Sequence, residues 1–102
     1  MTNKEFYELA DNDARDIALA YKSCFASYSS STYVKRFASD RYKTWVEVLK
    51  DKDIEIPDKI EDKVRRTFCS TFTNVILDYI KSLPTTTNPY VLKVMKDSKK
   101  SK

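Results

Sequence analysis

The groups from which chemistry could be built in this 102-residue chain are two thiols, Cys24 and Cys69, fifteen carboxylates and nineteen lysines and arginines. Histidine and glycine are both absent. Without His there is no Ser–His or Cys–His nucleophile pair, no H-E-x-x-H zinc site and no Cys₂His₂ site. Without Gly there is no phosphate-cradling P-loop, no dinucleotide fingerprint, no nucleophile elbow and no EF-hand loop of the usual kind. Each of these uses backbone geometry that glycine reaches cheaply. Two thiols do not fill a four-ligand zinc site. A carboxylate or a lysine could still act as a general base, but their spacing singles out no pair. The composition points away from an enzyme and implies no cofactor or metal.

The basic residues raise a different chemistry, contact with phosphates. The net charge of +4 is uneven: residues 21–50 carry six basic side chains against two acidic, and residues 84–102 carry five against one. Arg36, Lys43 and Lys50 recur at seven-residue steps, but Asp40 and Glu47 sit between them on the same strip. Arg36–Asp40 and Lys43–Glu47 therefore have i,i+4 spacing, the pattern of a solvated, salt-laced helix face. A helix-turn-helix drawn over residues 20–45 has no Gly in its turn and too long a leading helix. The remaining nucleic-acid candidates are Lys63, Arg65 and Arg66, with Lys99 and Lys100 near the C-terminus. Binding through them would be non-specific and would fall steeply with salt.

Other residues break the apolar pattern or stand at its edge. Arg41 falls inside an apolar stripe, between Phe37 and Trp45, and Asp13 at the edge of another. An Arg on a core face must snorkel or find a carboxylate, so a structural Arg–acid pair across two helices is expected, with a groove-lining Arg for an acidic partner as the alternative. Cys24 lies on a stripe and reads as an inert core thiol; Cys69 lies nearer an edge and reads as the more exposed one. Leu19, Tyr7 and Tyr33 stand off or at the edges of their stripes. With Leu77 they are candidates for a protein-contact surface, where tyrosine is favoured.

Four helical segments must position these residues. The first runs from Asn3 to Tyr28, opened by a Thr2/Glu5 capping box and carrying Phe6, Leu9, Ala10, Ala14, Ile17, Tyr21, Cys24, Phe25 and Tyr28 on one stripe. Asp11-Asn12-Asp13 should weaken it locally, since such side chains compete for backbone hydrogen bonds. Ser29 to Thr32 form a turn with N-cap candidates. A second helix follows from Tyr33 to Lys50, with Val34, Phe37, Ala38, Tyr42, Trp45 and Leu49 inward. Ile54 and Ile56 are placed to tuck under the bundle. Asp58 is the expected N-cap of a third helix, whose apolar positions run from Ile60 to Leu83 and which Pro84 ends. Asn88-Pro89 opens a short fourth helix to Lys96, and residues 97–102 make a basic tail.

The expected architecture is all-α: one domain over residues 1–96, a small helical bundle of three long helices plus a short C-terminal helix with up-down connections. The N-terminus lacks the apolar run of a signal peptide and no run approaches the ~20 residues that span a bilayer. A cytoplasmic protein with reduced cysteines and no membrane contact is expected. Lys far outnumbers Arg, and Asp, Ile and Tyr are common, the skew of AT-rich coding genomes, viral and phage ones among them. The function expected is a non-enzymatic protein-binding module, a small regulator, inhibitor or assembly subunit. Its contacts would use Leu77, Tyr7, Tyr33 and Arg41, and the alternative is nucleic-acid binding. Because helix three turns apolar over most of its circumference between Val75 and Ile80, a homodimer with Leu77 near its own copy is also expected.

Overall fold

A computed structural model describes residues 1–83. These residues form α1 (Asn3–Tyr21), α2 (Ser31–Asp51) and α3 (Asp58–Ser82), with a 3-10 turn at Lys22–Cys24 and no strand among them. The fourth helix and the basic tail expected from the sequence lie outside the described residues, as do Lys99 and Lys100.

The capping box of α1 is formed. The Glu5 amide donates to Thr2 Oγ1 at 3.2 Å, and the Thr2 amide donates to Glu5 Oε1 at 3.0 Å. The Thr2 amide and then the Thr2 hydroxyl hold the Glu5 carboxyl below its usual range. Behind the cap, Phe6, Ala10, Ala14 and Ala18 recur at four-residue steps and are buried, the three alanines fully. Small side chains along one row let a neighbouring helix approach closely. Asp11, Asn12 and Asp13 do not interrupt α1. Asp11 accepts a hydrogen bond from the Thr71 hydroxyl of α3, and Asp13 one from the Trp45 indole of α2 at 2.8 Å. Their carboxylates are engaged by other helices and do not compete for the backbone of their own.

The long first helix expected to reach Tyr28 ends at Tyr21. After the 3-10 turn, Phe25 adopts an extended backbone, φ −114° and ψ 150°. That break swings its ring inward, where it lies edge-on to Tyr33 and Phe37 at 5.6 and 5.0 Å between centroids. A tight turn follows. The Ser29 amide donates to the Ala26 carbonyl, and Ser29 Oγ accepts from the Ala26 amide at 3.0 Å. Ser30 then caps α2, its Oγ accepting from the Tyr33 amide at 3.1 Å.

Val34, Ala38, Tyr42, Trp45 and Leu49 are the buried face of α2. The helix closes with the Ile54 amide donating to Leu49 O and the Asp53 amide to Lys50 O, the paired bonds of a Schellman motif. That closure needs a left-handed residue, and Asp53 supplies it at φ 61° in a chain with no glycine. Ile54 and Ile56 pack against the core, as their sequence placement suggested.

The N-cap of α3 is Pro57 and not Asp58, which lies one position inside, in the acidic first turn with Glu61. Proline's fixed φ suits the entry, and the two carboxylates suit the positive end of the helix dipole. The helix closes at Ser82, ahead of Pro84, with the Leu83 amide donating to Ile80 O.

Contacts along the helices set their directions. Lys63 of α3 lies over the Tyr7 ring of α1, and Lys22, just past α1, lies over the Tyr79 ring of α3. Both helices therefore run the same way. Phe37 stacks on Phe72 and Tyr42 meets Phe68, so α2 runs against α3. The result is an up-down-up bundle with α3 packed against both other helices. Its Val64, Phe68, Phe72 and Ile76 are fully enclosed, each such side chain stabilising the fold by about 1.5–3 kcal/mol. No helix among the described residues is long and apolar enough to cross a membrane.

Candidate functional site

The residues singled out in the sequence do not form one patch. Tyr33 and Leu77 lie toward the end where α1 stops, α2 starts and α3 finishes, whereas Tyr7 lies near the opposite end, under Lys63. Leu77 is half-buried and packs against the bundle's own core together with Val75 and Ile80. This stretch of α3 is thus less bare than its sequence suggests, and a homodimer through Leu77 has less surface to build on.

Arg41 meets no carboxylate among the described residues. Its Nη1 donates to the Tyr21 hydroxyl at 3.2 Å, and its guanidinium lies 5.3 Å from the ring centroids of both Tyr21 and Phe37. Asp13, the acid at the edge of the α1 stripe, accepts from the Trp45 indole instead. The expected Arg–acid pair is replaced by aromatic faces, which attract a guanidinium at about 0.5–1 kcal/mol or more as water is excluded. Arg41 Nε is buried without a partner.

The cations of α3 proposed for phosphates are engaged. Arg65 pairs with Asp62 and, at 3.9 Å, with Glu61; Arg66 pairs with Asp62 at 3.0 Å; Lys63 covers Tyr7 at 4.4 Å from the ring centroid. On α2 the outcome is the reverse. Ion pairs within 4.0 Å among the described residues lie on α1 and α3, and the Arg36–Asp40 and Lys43–Glu47 pairs expected on α2 are not formed. Exposed pairs gain little over solvation, so these side chains stay in water.

The thiols exchange the places expected of them. Cys24 is exposed and Cys69 is half-buried, with burial pushing the Cys69 thiol up from its usual range. The break after Tyr21 is the cause, because it carries Cys24 off the α1 stripe. Among the described residues no cluster of three or more His, Cys, Asp or Glu side chains could hold a metal ion.

The same break creates the most exposed aromatic of the described chain. Tyr28, expected on the α1 stripe, stands in the turn with 91% of its surface accessible. Beside it Tyr33 is 49% exposed while packing on Phe25 and Phe37. A groove of about 310 Å³ lies between them, lined also by Cys24, Ala26 and Ser29. A larger hollow, about 500 Å³, lies at the other end between α2, the 52–57 connection and α3. Its four carboxylates outnumber Lys43 and Lys50, and it offers no exposed ring, since the Tyr42 hydroxyl within it already donates to Glu61 Oε1 at 3.2 Å and Tyr42 is buried. The Tyr28–Tyr33 groove is the candidate site. No Gly, no Pro and no loss of helical phase between Tyr21 and Tyr28 signals the break that exposes it, and the serine run from Ser29 to Ser31 marks only the later turn. Comparison of the chain with protein-family models, curated proteins and solved structures finds no match.

Proposed function

We propose that this chain is a non-enzymatic protein-binding module whose contact surface is the α1–α2 end of the bundle, centred on Tyr28 and Tyr33. The observation that carries this reading is the exposure of Tyr28. A large ring held almost entirely in water adds nothing to the fold's own burial and has the most area left to bury against a partner. Tyr33 supplies a second ring that is already fixed by Phe25 and Phe37, so little side-chain freedom is lost when it is covered. The nucleic-acid alternative draws less support, because Arg65 and Arg66 are paired with neighbouring carboxylates.

The test uses the tagged full chain as bait in extract from its native host, with nuclease treatment throughout. A protein partner is retained by the parent and lost by Tyr28→Ala, whose circular dichroism should match the parent because Tyr28 stands exposed in a turn. Retention of the same partner by Tyr28→Ala overturns the reading, as does loss of every partner on nuclease treatment.

A further inference from the structure

The charge around the candidate groove is one-sided. From residue 17 to residue 39 the chain holds Lys22, Lys35 and Arg36 and no carboxylate. Tyr33 and Arg36 are three apart on α2, the spacing that makes side chains neighbours on one helix face. None of the three cations has a carboxylate within ion-pair distance among the described residues; Lys22 leans on the Tyr79 ring, 5.5 Å from its centroid. Asp40 lies a turn further along α2, away from the groove, and Asp78 and Lys81 of α3 cancel each other at this end. The groove itself offers two tyrosine rings and the small side chains of Ala26 and Ser29. At about 310 Å³ it has room for an apolar or aromatic side chain.

Taking the protein-binding reading as its basis, we infer that the occupant of this groove is an acidic peptide segment of a partner, carrying one aromatic or large aliphatic residue. The apolar residue seats between Tyr28 and Tyr33. Carboxylates flanking it meet Arg36, one turn from Tyr33 on α2, and Lys22, two residues before Cys24. A basic segment would face Arg36 and Lys22, with no carboxylate among residues 17–39 to offset them. The ring pair gives affinity, and the cations give orientation and a salt-sensitive association rate.

The experiment titrates the isotope-labelled full chain, by amide NMR, with four probes. These are a short Glu/Asp-rich peptide with one central Phe, the same peptide with Gln and Asn for the acids, the same with Lys, and a short oligothymidylate. The acidic peptide is expected to shift amides between Cys24 and Arg36 and to bind more weakly as salt rises. A Lys22→Glu/Arg36→Glu double variant, altered only at exposed positions, should lose roughly tenfold in affinity for it, as expected for two solvent-exposed pairs. Equal binding of the neutral peptide at the same amides overturns the acidic assignment and leaves the protein-binding reading standing. Preference for the Lys peptide, or no shift with any probe at millimolar concentration, overturns the assignment as well. Binding of the oligonucleotide alone at these amides overturns both.

Discussion

Arg41 of α2 reaches Tyr21 of α1, Nη1 to hydroxyl at 3.2 Å, and lies over the faces of Tyr21 and Phe37. A guanidinium is thereby accommodated at a helix–helix seam without a counter-charge. Packing of the stem and the ring faces supports it, while the buried Nε goes unpaired, a cost of about 1–3 kcal/mol for such a group. Replacing Arg41 with Met keeps the unbranched stem and removes that donor. Arg41→Met should stay within about 0.5 kcal/mol of the parent or exceed it, whereas Arg41→Ala should lose about 1–3 kcal/mol from missing contacts. Denaturant midpoints decide. A Met variant as unstable as the Ala variant would show that the charge itself holds the seam.

Much of the bundle is legible from period alone. The three- and four-residue steps from Val34 to Leu49 and the four-residue steps from Ile60 to Ile76 place the buried faces of α2 and α3 correctly, because an amphipathic stripe has one way to hide. The break at Tyr21 is not legible that way. Tyr21, Cys24, Phe25 and Tyr28 keep the helical phase, and no Gly or Pro interrupts them. What ends the helix is tertiary. Phe25 gains more by turning under Tyr33 and Phe37 than by continuing the stripe, and Ser29 stabilises the turn that follows. The candidate site depends on that break, so Tyr28 was hidden from periodicity while Tyr33, at the start of the next helix, was not. Arg41's partner was illegible for a similar reason: stripe position shows which helix a residue faces, not that the Trp45 indole takes Asp13 first.

The Schellman closure after α2 places a side chain where glycine is usual. An L-residue in the left-handed region costs about 1 kcal/mol, less for Asp than for branched residues. Asp53→Gly should relieve that strain against a smaller gain in unfolded-state entropy, raising stability by about 0.5 kcal/mol. Asp53→Val should lower it by about 1 kcal/mol or more. Thermal or urea unfolding of the two variants checks the order; a less stable Gly variant would mean the Asp53 side chain contributes beyond its backbone.

Ala14 is fully enclosed on the face that α1 turns to its neighbours. Three extra carbons there must push α1 outward or force poor rotamers. Ala14→Leu should destabilise by about 1–3 kcal/mol, although it raises helix-forming tendency not at all and apolar area considerably. If Ala14→Leu is neutral in chemical denaturation, the close approach of α1 is not a constraint of this core.

Tyr42 couples the fold to alkaline pH. Burial first, and then the Glu61 carboxylate beside it, push its phenol well above the ordinary value of 10.0. In the unfolded chain the phenol ionises near ~10. Above that pH the unfolded state binds fewer protons than the native state, so stability falls as pH rises. Below it the contribution is fully present. Tyr42→Phe should cost about 1 kcal/mol near neutral pH through the lost hydrogen bond to Glu61, yet its stability should fall less steeply between pH 10 and pH 12. Parallel slopes for parent and variant in that window would contradict the raised phenol.

The two thiols offer the most direct check on the break after Tyr21. Thiolate is the reactive form, so exposure favours reaction with a disulfide reagent and a raised pKa slows it. Cys24 is exposed beside the Tyr28–Tyr33 groove. Cys69 is half-buried on α3, and burial raises its thiol, with Arg65 offsetting part of the rise. Native protein should therefore show one fast and one slow thiol, with the fast phase absent in Cys24→Ser and the slow phase absent in Cys69→Ser. Full denaturation should make the two alike. The continuous helix to Tyr28 suggested by the apolar stripe makes the opposite prediction, because it would bury Cys24 and leave Cys69 the more accessible. A faster Cys69 in the folded chain would thus remove both the break and the exposed Tyr28 that depends on it.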